Sequence, residues 1–255
     1  MREILAPAQR EILGQFAGSN TLLAFDFDGT LAPIVRDPRR AALRAKTRAL
    51  LEETARLYPV VVISGRARSD ARARLRSVPL AGIVGNHGLE PWRGSERVAG
   101  TVRRWAAALR EALALFPGLE IEDKAYSIAV HYRRSRHRRK AKAAILGAIQ
   151  TLGELRVIGG KQVVNVLPPG APHKGIALES ERERLGCDRM IYVGDDETDE
   201  DVFALDEPGR LLAIRVGRRR DSAAGYYVPE QGSVDELLRR LVELRTGEAR
   251  RKACR

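Results

Sequence analysis

The sequence predicts an α/β protein in which a parallel-sheet core is interrupted by an inserted α+β segment. Short apolar and β-branched runs alternate with segments that carry apolar residues at helical spacing, which is typical of parallel sheets covered by helices. In the middle of the chain this alternation gives way to paired strands, which favour an antiparallel sheet. The first pattern returns after the proline-rich residues 168–172. The chain is therefore expected to form two structural parts.

The N-terminal part of the core contains three predicted strands. Residues 21–27 form an apolar, aromatic-rich run that ends in Asp-Gly-Thr, which indicates a buried strand followed by a polar loop. Helical spacing over residues 44–57 predicts a helix that packs on this sheet. The β-branched run at 59–63 predicts a second strand, and a third is predicted at 82–84 after another helical stretch.

Residues 91–167 are predicted to be the insertion, with the order helix, two strands, helix, two strands. Its helices are predicted at 96–116 and 138–152, and its strands at 120–123, 126–132, 155–158 and 162–167. Residues 1–90 and 168–255 then form the core. The C-terminal part of the core is predicted to add strands at 190–193, 211–216 and 226–228 and helices at 174–185, after residue 198 and from residue 234.

Composition limits the classes of protein that remain. With 44% hydrophobic and 31% charged residues among 255, the chain fits a soluble globular protein. No apolar run approaches the ~20 residues that a membrane-spanning helix needs, and the N-terminus lacks a signal-peptide pattern. We therefore expect a cytoplasmic, monomeric protein with no membrane partner.

The net charge of +12 raises the alternative of a nucleic-acid-binding protein, because Lys and Arg neutralise backbone phosphates. Arginine is scattered along the chain, however, aromatic residues make up only 5%, and no nucleic-acid module is recognisable. A basic surface that attracts small phosphorylated anions explains the charge equally well. We therefore predict a small phosphorylated partner and no nucleic acid.

Polar residues are concentrated just after the predicted core strands. Because ligands of open parallel sheets bind beyond the carboxyl ends of the strands, these residues are candidates for a common site. They are Asp26 and Asp28 after the first strand, Ser64 after the second, Asn86 and His87 after the third, and Asp195, Asp196 and Asp199 after the strand that ends at Val193.

Carboxylates gathered at one sheet edge repel one another, and a hard cation between them would relieve that repulsion. Oxygen ligands favour Mg²⁺, which commonly binds through one or two carboxylates and a substrate phosphate. We predict Asp26 and Asp195 as side-chain ligands and the backbone carbonyl of Asp28 as a third. The ion would reduce the repulsion between the Asp26 carboxylate and a phosphate and align the two for in-line attack.

The remaining polar residues fit the other steps of a phosphoryl transfer. Asp26 is the predicted nucleophile, since carboxylates can form aspartyl-phosphate intermediates. Asp28 is placed to protonate the leaving sugar oxygen and later to deprotonate the attacking water. Lys174, by its charge, and Ser64, by its hydroxyl, are suited to hold the phosphoryl oxygens.

Each of these motifs alone also has a purely structural interpretation. Asp-Gly-Thr is a common turn sequence, and Ser-Gly-Arg fits a turn before a helix. His87 fits a buried structural histidine, and Lys174 fits a solvated residue near a helix N-terminus. The acidic residues 195–201 fit a first helical turn stabilised by the helix dipole. The occurrence of all these motifs in strand–loop order favours an active site.

Four of these segments together resemble the motifs of the haloacid dehalogenase superfamily of phosphotransferases. The corresponding residues are 26–30, Ser64, Lys174 and the Asp195-Asp196 pair. Within that superfamily, the strings DFDGTLAPI, SGR, GNHG and GDDETDED are similar to those of the trehalose-6-phosphate phosphatase family. The resemblance implies a Rossmann-like core with a mobile α/β cap inserted after the third strand.

The resemblance also implies roles for the core residues. Asp26 would be the nucleophile and Asp28 the acid/base residue. The implied metal site is formed by Asp26, Asp28, Asp195 and Asp196, with Mg²⁺ as the ion.

The predicted insertion, called the cap from here on, contains a segment similar to the one that reads the sugar in this family. Its residues with that implied role are Glu122, Lys124, His131 and Arg133. The residues implied to line the junction of core and cap are Arg66, Asn86 and His87. Without the family context, Glu122 and Lys124 would be interpreted as an exposed cross-strand ion pair.

The chain departs from the family pattern at two positions. Asn165 stands where a glutamate is usual at the end of the last cap strand, and His173 stands where an asparagine is usual before Lys174. Asn165 can still accept a hydrogen bond from a sugar, but it lacks the charge-assisted contact of a carboxylate. The departure concerns sugar selection and leaves the residues of the chemical step unchanged.

The function implied by the resemblance is the hydrolysis of trehalose 6-phosphate, a small phosphorylated disaccharide, to trehalose and phosphate. Two alternatives remain from the sequence. One is a phosphatase of another glycosyl phosphate, such as sucrose phosphate or mannosyl phosphoglycerate. The other is a sugar-phosphate sensor without catalytic activity, against which the complete set of catalytic residues argues.

Overall fold

The computed structural model describes residues 1–91, 96–160, 162–205 and 207–253. Its strands are β1 Arg2–Glu3, β2 Thr21–Phe25, β3 Val60–Ile63, β4 Gly82–Val84, β5 Glu120–Asp123, β6 Ile128–His131, β7 Arg156–Gly160, β8 Val163–Leu167, β9 Arg189–Gly194, β10 Leu211–Val216 and β11 Tyr226–Val228. Its α-helices are α1 Arg10–Ala17, α2 Ala45–Leu57, α3 Arg68–Arg74, α4 Glu96–Ala112, α5 Arg138–Gln150, α6 Lys174–Leu185, α7 Glu200–Phe203 and α8 Ser233–Ala253.

Seven strands form one sheet in the order β1-β11-β10-β9-β2-β3-β4, and every neighbouring pair is parallel. Because all strands run in the same direction, their carboxyl ends lie at one edge of the sheet. The predicted α/β class with a parallel core sheet is confirmed.

The central strand β2 is buried along its whole length because helices cover both faces of the sheet. Leu23 and Phe25 point to the face that packs against α1, α2 and α8. Leu22 and Ala24 point to the opposite face, which packs against α6 and α7. Because both faces of the strand are buried, its sequence is a continuous apolar run.

The cap contains a second sheet, with four antiparallel strands in the order β5-β6-β8-β7. Helices α4 and α5 cover one face, where Trp105 and Ile145 pack against Ile128 and Val130. Since side chains alternate along a strand, the residues between these point away from the helices. Glu122, Ala129 and Asn165 are aligned in this way, and they share the uncovered face.

The predicted elements differ from the structure mainly at their ends. The first cap helix ends at Ala112 rather than at residue 116, and residues 113–118 form turns and a bend. Strand β1 and helix α1 were not predicted at all. Helix α1 buries Leu13 and Phe16 in the core. These apolar residues are few and lie among charged and polar neighbours, so the sequence shows no clear helical pattern there.

Among the described residues, no helix is long and apolar enough to cross a membrane. The cytoplasmic location, the monomeric state and the boundaries proposed between core and cap stay predictions.

Two neighbouring residues of α5 provide a test of cap packing. Ile145 is fully buried, whereas Leu146 is 38% exposed. We expect Ile145→Ala to lower the free energy of unfolding by about 2–5 kcal/mol, because it removes packed methyl groups and leaves a cavity. Leu146→Ala should cost less than about 1 kcal/mol, since it loses little buried area. Urea unfolding measures both, and equal losses would contradict the packing of α5.

Candidate active site

The carboxyl ends of β2, β3 and β9 bring the predicted catalytic residues together. The backbone N–H of Asp26 donates to the carbonyl of Val193 at 2.9 Å, which joins the loop after β2 to the end of β9. Asp26, Ser64 and Asp195 are all at least nine-tenths buried. The sheet geometry therefore places ionisable groups in a region that is largely closed to water.

A buried lysine connects two of these carboxylates. The Lys174 Nζ donates to Asp26 Oδ1 at 2.9 Å and to Asp199 Oδ1 at 2.7 Å. Burial alone would lower the pKa of Lys174, but the charges of Asp199 and Asp26 outweigh it and raise that pKa well above its ordinary value. Lys174 is therefore a fixed positive charge beside Asp26.

The pKa of Asp26 is raised well above the ordinary value, mainly by burial and against the opposing charge of Lys174. The neighbouring carboxylates of Asp199, Asp195 and Asp196 raise it further. A positive charge close to Asp26 therefore stabilises its ionised form, which is the form needed for nucleophilic attack.

Lys174 is held by the start of α6. The preceding residue, His173, caps this helix, because its Nδ1 accepts from the N–H groups of Gly175 at 3.1 Å and Ile176 at 3.4 Å. This is the position where the family usually has asparagine, another capping residue. The substitution therefore preserves the local function of the position.

Asp199 is an important residue of the site to which sequence reasoning assigned no role. It is fully buried and accepts four hydrogen bonds, from Lys174 Nζ, from the Tyr192 hydroxyl at 2.6 Å, and from the N–H groups of Asp195 at 2.7 Å and Asp196 at 2.9 Å. It therefore fixes both Lys174 and the loop after β9. The signal available in the sequence was its position four residues after Asp195, within the same acidic run.

Three buried carboxylates offer a metal site. Asp26, Asp195 and Asp199 each present an oxygen, and these oxygens lie within 4.8 Å of one another. An all-oxygen set of this kind fits a hard divalent cation. Gly29 supports the fit, because a Cβ built there would lie 2.2 Å from Asp195 Oδ2. Only glycine, with a φ of 89°, leaves room for this carboxylate.

The other two predicted metal residues have different surroundings. Asp196 Oδ1 accepts from both the N–H and the hydroxyl of Thr198 at 2.7 Å, so it stabilises the loop. The Asp28 carboxylate is bound by Arg66, whose Nε and Nη2 each donate at 2.7 Å. Arg66 also donates to Asp70. Asp199 lies close to the two predicted ligands, but each of its oxygens already accepts two hydrogen bonds, so its role is to hold Lys174 and the loop after β9.

A cavity of about 320 Å³ lies between the core and the cap. The predicted site residues that line it are Asp26, Asp28, Arg66, His87, Glu122, Lys124, His131, Arg133, Asn165, Lys174, Asp195 and Asp196. Of the described candidates, Ser64, Asn86 and Asp199 are not in this lining. The Ser64 hydroxyl accepts from the N–H of Arg66 at 3.2 Å, so in this structure it stabilises the loop after β3.

The cap side of the cavity is polar. Glu122 Oε2 lies 2.8 Å from His131 Nε2. Burial raises the pKa of Glu122, but the hydrogen bond from His131 and the charge of Lys124 outweigh it, and the net shift is downward. Arg133 reaches the core and donates to the carbonyl of Val35. Glu122 therefore faces the cavity as a carboxylate.

His87 lines the cavity. Its ring packs against Gly65, where a Cβ would come within 2.4 Å of the ring. Burial, helped by the charges of Lys124 and Lys174, lowers the pKa of His87 well below its ordinary value. The imidazole is therefore neutral at neutral pH and can act as a hydrogen-bonding group, not as a cation.

Four features together define a class of protein: an aspartate directly after β2, a buried lysine, a carboxylate cluster and a cap over the site. They are the features of a capped phosphohydrolase of the haloacid dehalogenase superfamily.

The comparison with protein families gives the narrower assignment. The model of the trehalose-phosphatase family matches residues 24–228. The chain belongs to this family.

Individual relatives agree with this family. The chain is 31% identical to a protein from Oryza sativa subsp. japonica named probable trehalose-phosphate phosphatase 4, over 91% of this chain and 69% of the relative. It is 34% identical to a trehalose-phosphate phosphatase of Mycobacterium ulcerans, over 85% of this chain and 60% of the relative. A crystal structure of a trehalose-6-phosphate phosphatase related protein is similar, with a TM-score of 0.74, 25% identity, and coverage of 89% of this chain and 99% of that one.

The hydroxyl of Tyr192 is expected to support catalysis through Asp199. We expect Tyr192→Phe to lower kcat for the release of phosphate from p-nitrophenyl phosphate by about 10- to 100-fold, because Asp199 loses a charge-assisted hydrogen bond. Tyr58→Phe is the matched control, since its buried hydroxyl bonds to the carbonyls of Ala17 and Leu241. If both variants lose only stability, the role of Tyr192 is contradicted.

Gly29 tests the metal site. We expect Gly29→Ala to abolish binding of a divalent cation in isothermal titration calorimetry, because the new methyl group would displace the Asp195 carboxylate. Gly170→Ala is the control, since Gly170 also has a positive φ, of 69°, but no atom lies within 4 Å of a Cβ there. That variant should keep metal affinity and lose only about 1 kcal/mol of stability. Equal metal binding by both variants would reject the site.

Proposed function

We propose that this protein hydrolyses trehalose 6-phosphate to trehalose and phosphate, with Mg²⁺ as cofactor. The observation that carries the proposal is the shared cavity. Asp26 and Lys174 line its core side, and Glu122 and Lys124 line its cap side. A phosphate at the core side would therefore have its sugar against the cap. The names of two relatives, a probable trehalose-phosphate phosphatase and a trehalose-phosphate phosphatase, support trehalose 6-phosphate as the substrate.

Asp26 is the proposed nucleophile. Its carboxylate attacks phosphorus, forms an aspartyl-phosphate, and releases the sugar as the P–O bond breaks. Lys174 holds the Asp26 oxygen at 2.9 Å, so the nucleophile has a fixed direction before substrate arrives. The proposed Mg²⁺ would be held by the carboxylates of Asp26 and Asp195 and by the backbone carbonyl of Asp28, with Asp196 as a further candidate. The ion would reduce the repulsion between the Asp26 carboxylate and the phosphate.

Asp28 is the proposed acid/base residue. It lies two positions after Asp26 in the same loop, and it lines the cavity. In the first half-reaction it gives a proton to the leaving sugar oxygen, and in the second it takes one from the water that attacks the aspartyl-phosphate. Arg66 donates a hydrogen bond to each carboxylate oxygen of Asp28. Asp28 must therefore replace a bond to Arg66 by a contact with the substrate during turnover. Ser64 is proposed to donate its hydroxyl to a phosphoryl oxygen.

The cap supplies the proposed sugar contacts. Glu122 lies on the sheet face without helices, and Lys124 lies in the turn that follows β5. Their carboxylate acceptor and ammonium donor suit neighbouring hydroxyls. His131, Arg133 and Asn165 complete this lining. A sugar that lacks a hydroxyl would leave one of these groups desolvated and unpaired, which disfavours its binding.

Asn165 is the feature that favours a second candidate function. It lines the cavity at a position where the family usually has glutamate. A neutral amide both donates and accepts, whereas a carboxylate only accepts, so the preferred arrangement of hydroxyls differs. A phosphatase of another glycosyl phosphate, of the sucrose phosphate or mannosyl phosphoglycerate type, is therefore the second candidate.

A substrate panel tests the proposal. In the presence of Mg²⁺ we expect kcat/KM to be highest for trehalose 6-phosphate among that compound, sucrose 6-phosphate, mannosyl phosphoglycerate and glucose 6-phosphate. Asp26→Asn should remove turnover while circular dichroism shows an unchanged fold, because an amide is a much weaker nucleophile than a carboxylate.

The panel also separates the alternatives. Turnover of another ester without release of phosphate from trehalose 6-phosphate would reject the proposed substrate. Binding of sugar phosphates without any turnover would indicate a sensor. Activity retained by Asp26→Asn would reject Asp26 as the nucleophile.

Glu122 tests sugar recognition by the cap. We expect Glu122→Gln to raise KM for trehalose 6-phosphate about tenfold, because a charge-assisted hydrogen bond becomes a neutral one. The KM for p-nitrophenyl phosphate, which has no sugar, should change much less. Glu111→Gln, on the exposed surface of α4, is the control for loss of one negative charge. The same change of KM for both substrates would exclude a sugar-specific role.

A further inference from the structure

Asn86 differs from the other residues at the junction of core and cap. It follows β4, is fully buried and has a φ of 49°, which places it in the left-handed region. Asparagine adopts this conformation more readily than most residues. Its side chain is outside the described lining of the cavity, so the observed position does not favour contact with substrate.

The Asn86 amide is fully engaged in hydrogen bonds. Its Nδ2 donates to the carbonyl of Lys124 at 3.1 Å and to Glu90 Oε2 at 3.0 Å. Its Oδ1 accepts from the hydroxyl of Ser127 at 2.8 Å. Two of these three bonds cross from the core to the turn between β5 and β6 of the cap.

The same segment is tied to the loop after β3. The N–H of Asn86 donates to the carbonyl of Arg66 at 2.7 Å, and the N–H of His87 donates to the carbonyl of Ser64 at 3.0 Å. From the cap, the Lys124 Nζ donates a hydrogen bond to the carbonyl of Gly65 at 2.7 Å. These bonds form a closed circuit from the core loop to Asn86, to the cap turn, and back to the core loop.

Lys124 depends on this circuit for its position. Its carbonyl is held by Asn86, and its backbone N–H donates to the carbonyl of Ser127, the residue whose hydroxyl binds Asn86. Lys124 is half-buried, and this burial lowers the pKa of its ammonium. A small displacement of the turn would move this ammonium away from the cavity.

We propose that Asn86 is a positioning residue that fixes the cap turn on the core and thereby places Lys124 over the bound sugar. Its effect on sugar selection rests on the function proposed above, whereas its effect on the cap turn does not. Asn86 acts through Lys124 and Ser127 and does not itself touch the substrate.

The test uses the full chain with Mg²⁺ and two side-chain deletions. Asn86→Gly removes the amide and keeps the left-handed backbone, because glycine adopts it without strain. Ser127→Ala removes the partner hydroxyl from the cap. Relative to wild type, each variant should lose about tenfold more kcat/KM for trehalose 6-phosphate than for p-nitrophenyl phosphate, the loss expected for one buried hydrogen bond.

Asn20→Ala is the control. Its side chain also donates to a backbone carbonyl, that of Gly186 at 2.7 Å, but at an exposed position away from the cap. This variant should leave the ratio of the two kcat/KM values unchanged. The double variant of Asn86 and Ser127 should lose less than the sum of the single variants, because both remove the same contact.

Hydrogen exchange keeps the test independent of substrate identity. Asn86→Gly should speed amide exchange in residues 120–131, and Asn20→Ala should not. Equal losses on both substrates, or unchanged exchange in the cap hairpin, would overturn the proposal. If wild type hydrolyses p-nitrophenyl phosphate but not trehalose 6-phosphate, the proposed substrate fails, and faster exchange in Asn86→Gly would still support the positioning role.

Discussion

The site depends on one interaction, the buried contact of the Lys174 ammonium with the carboxylates of Asp26 and Asp199. Two carboxylates and an ammonium would each be costly to bury alone, but together they compensate much of the lost hydration. Asp199 needs further donors because it has no exposure to water, and Tyr192 and the loop after β9 provide them. The surrounding residues therefore supply the hydrogen bonds that this buried charged cluster needs.

The fold provides this cluster with rigid supports. Asp26 follows a strand that is buried along its whole length, Lys174 begins a helix capped by His173, and Asp199 lies close to the end of β9. Since all three elements belong to the core, the geometry of these charges does not depend on contacts with the cap. Residues of the cap can therefore determine which sugar is bound without altering the charged groups of the core.

The sequence was sufficient to predict the features with a local pattern. The central strands could be recognised because two-sided burial produces continuous apolar runs, and the cap hairpins because their strands are close in sequence. Asp26, Asp28 and Asp195 could be proposed as site residues because they follow predicted strands. Lys174 could be proposed because of its charge and the family resemblance. Asp199 lies in the same acidic run, but a run of carboxylates does not reveal which member is buried.

Long-range contacts account for the features that the sequence did not predict. The bidentate hydrogen bond of Arg66 to Asp28 joins the loop after β3 to the loop after β2. The motifs that contain these two residues do not show that the Arg66 side chain points towards Asp28. The contact of Asn86 with Ser127 joins the core to the cap, so only the folded chain shows why an asparagine is suited to that position. Helix α1 was missed because its amphipathic pattern is short.

The parallel pairing of β2 with β9 also has a consequence for synthesis on the ribosome. Thr21 pairs with Arg189, and the entire cap sheet lies between these two residues in the sequence. The central strand therefore emerges long before its main neighbour, while the cap hairpins can pair as soon as residue 167 has left the exit tunnel. The nascent chain must keep an apolar strand from aggregating during that interval, so its yield in cells is expected to depend on chaperones that bind unfolded chains.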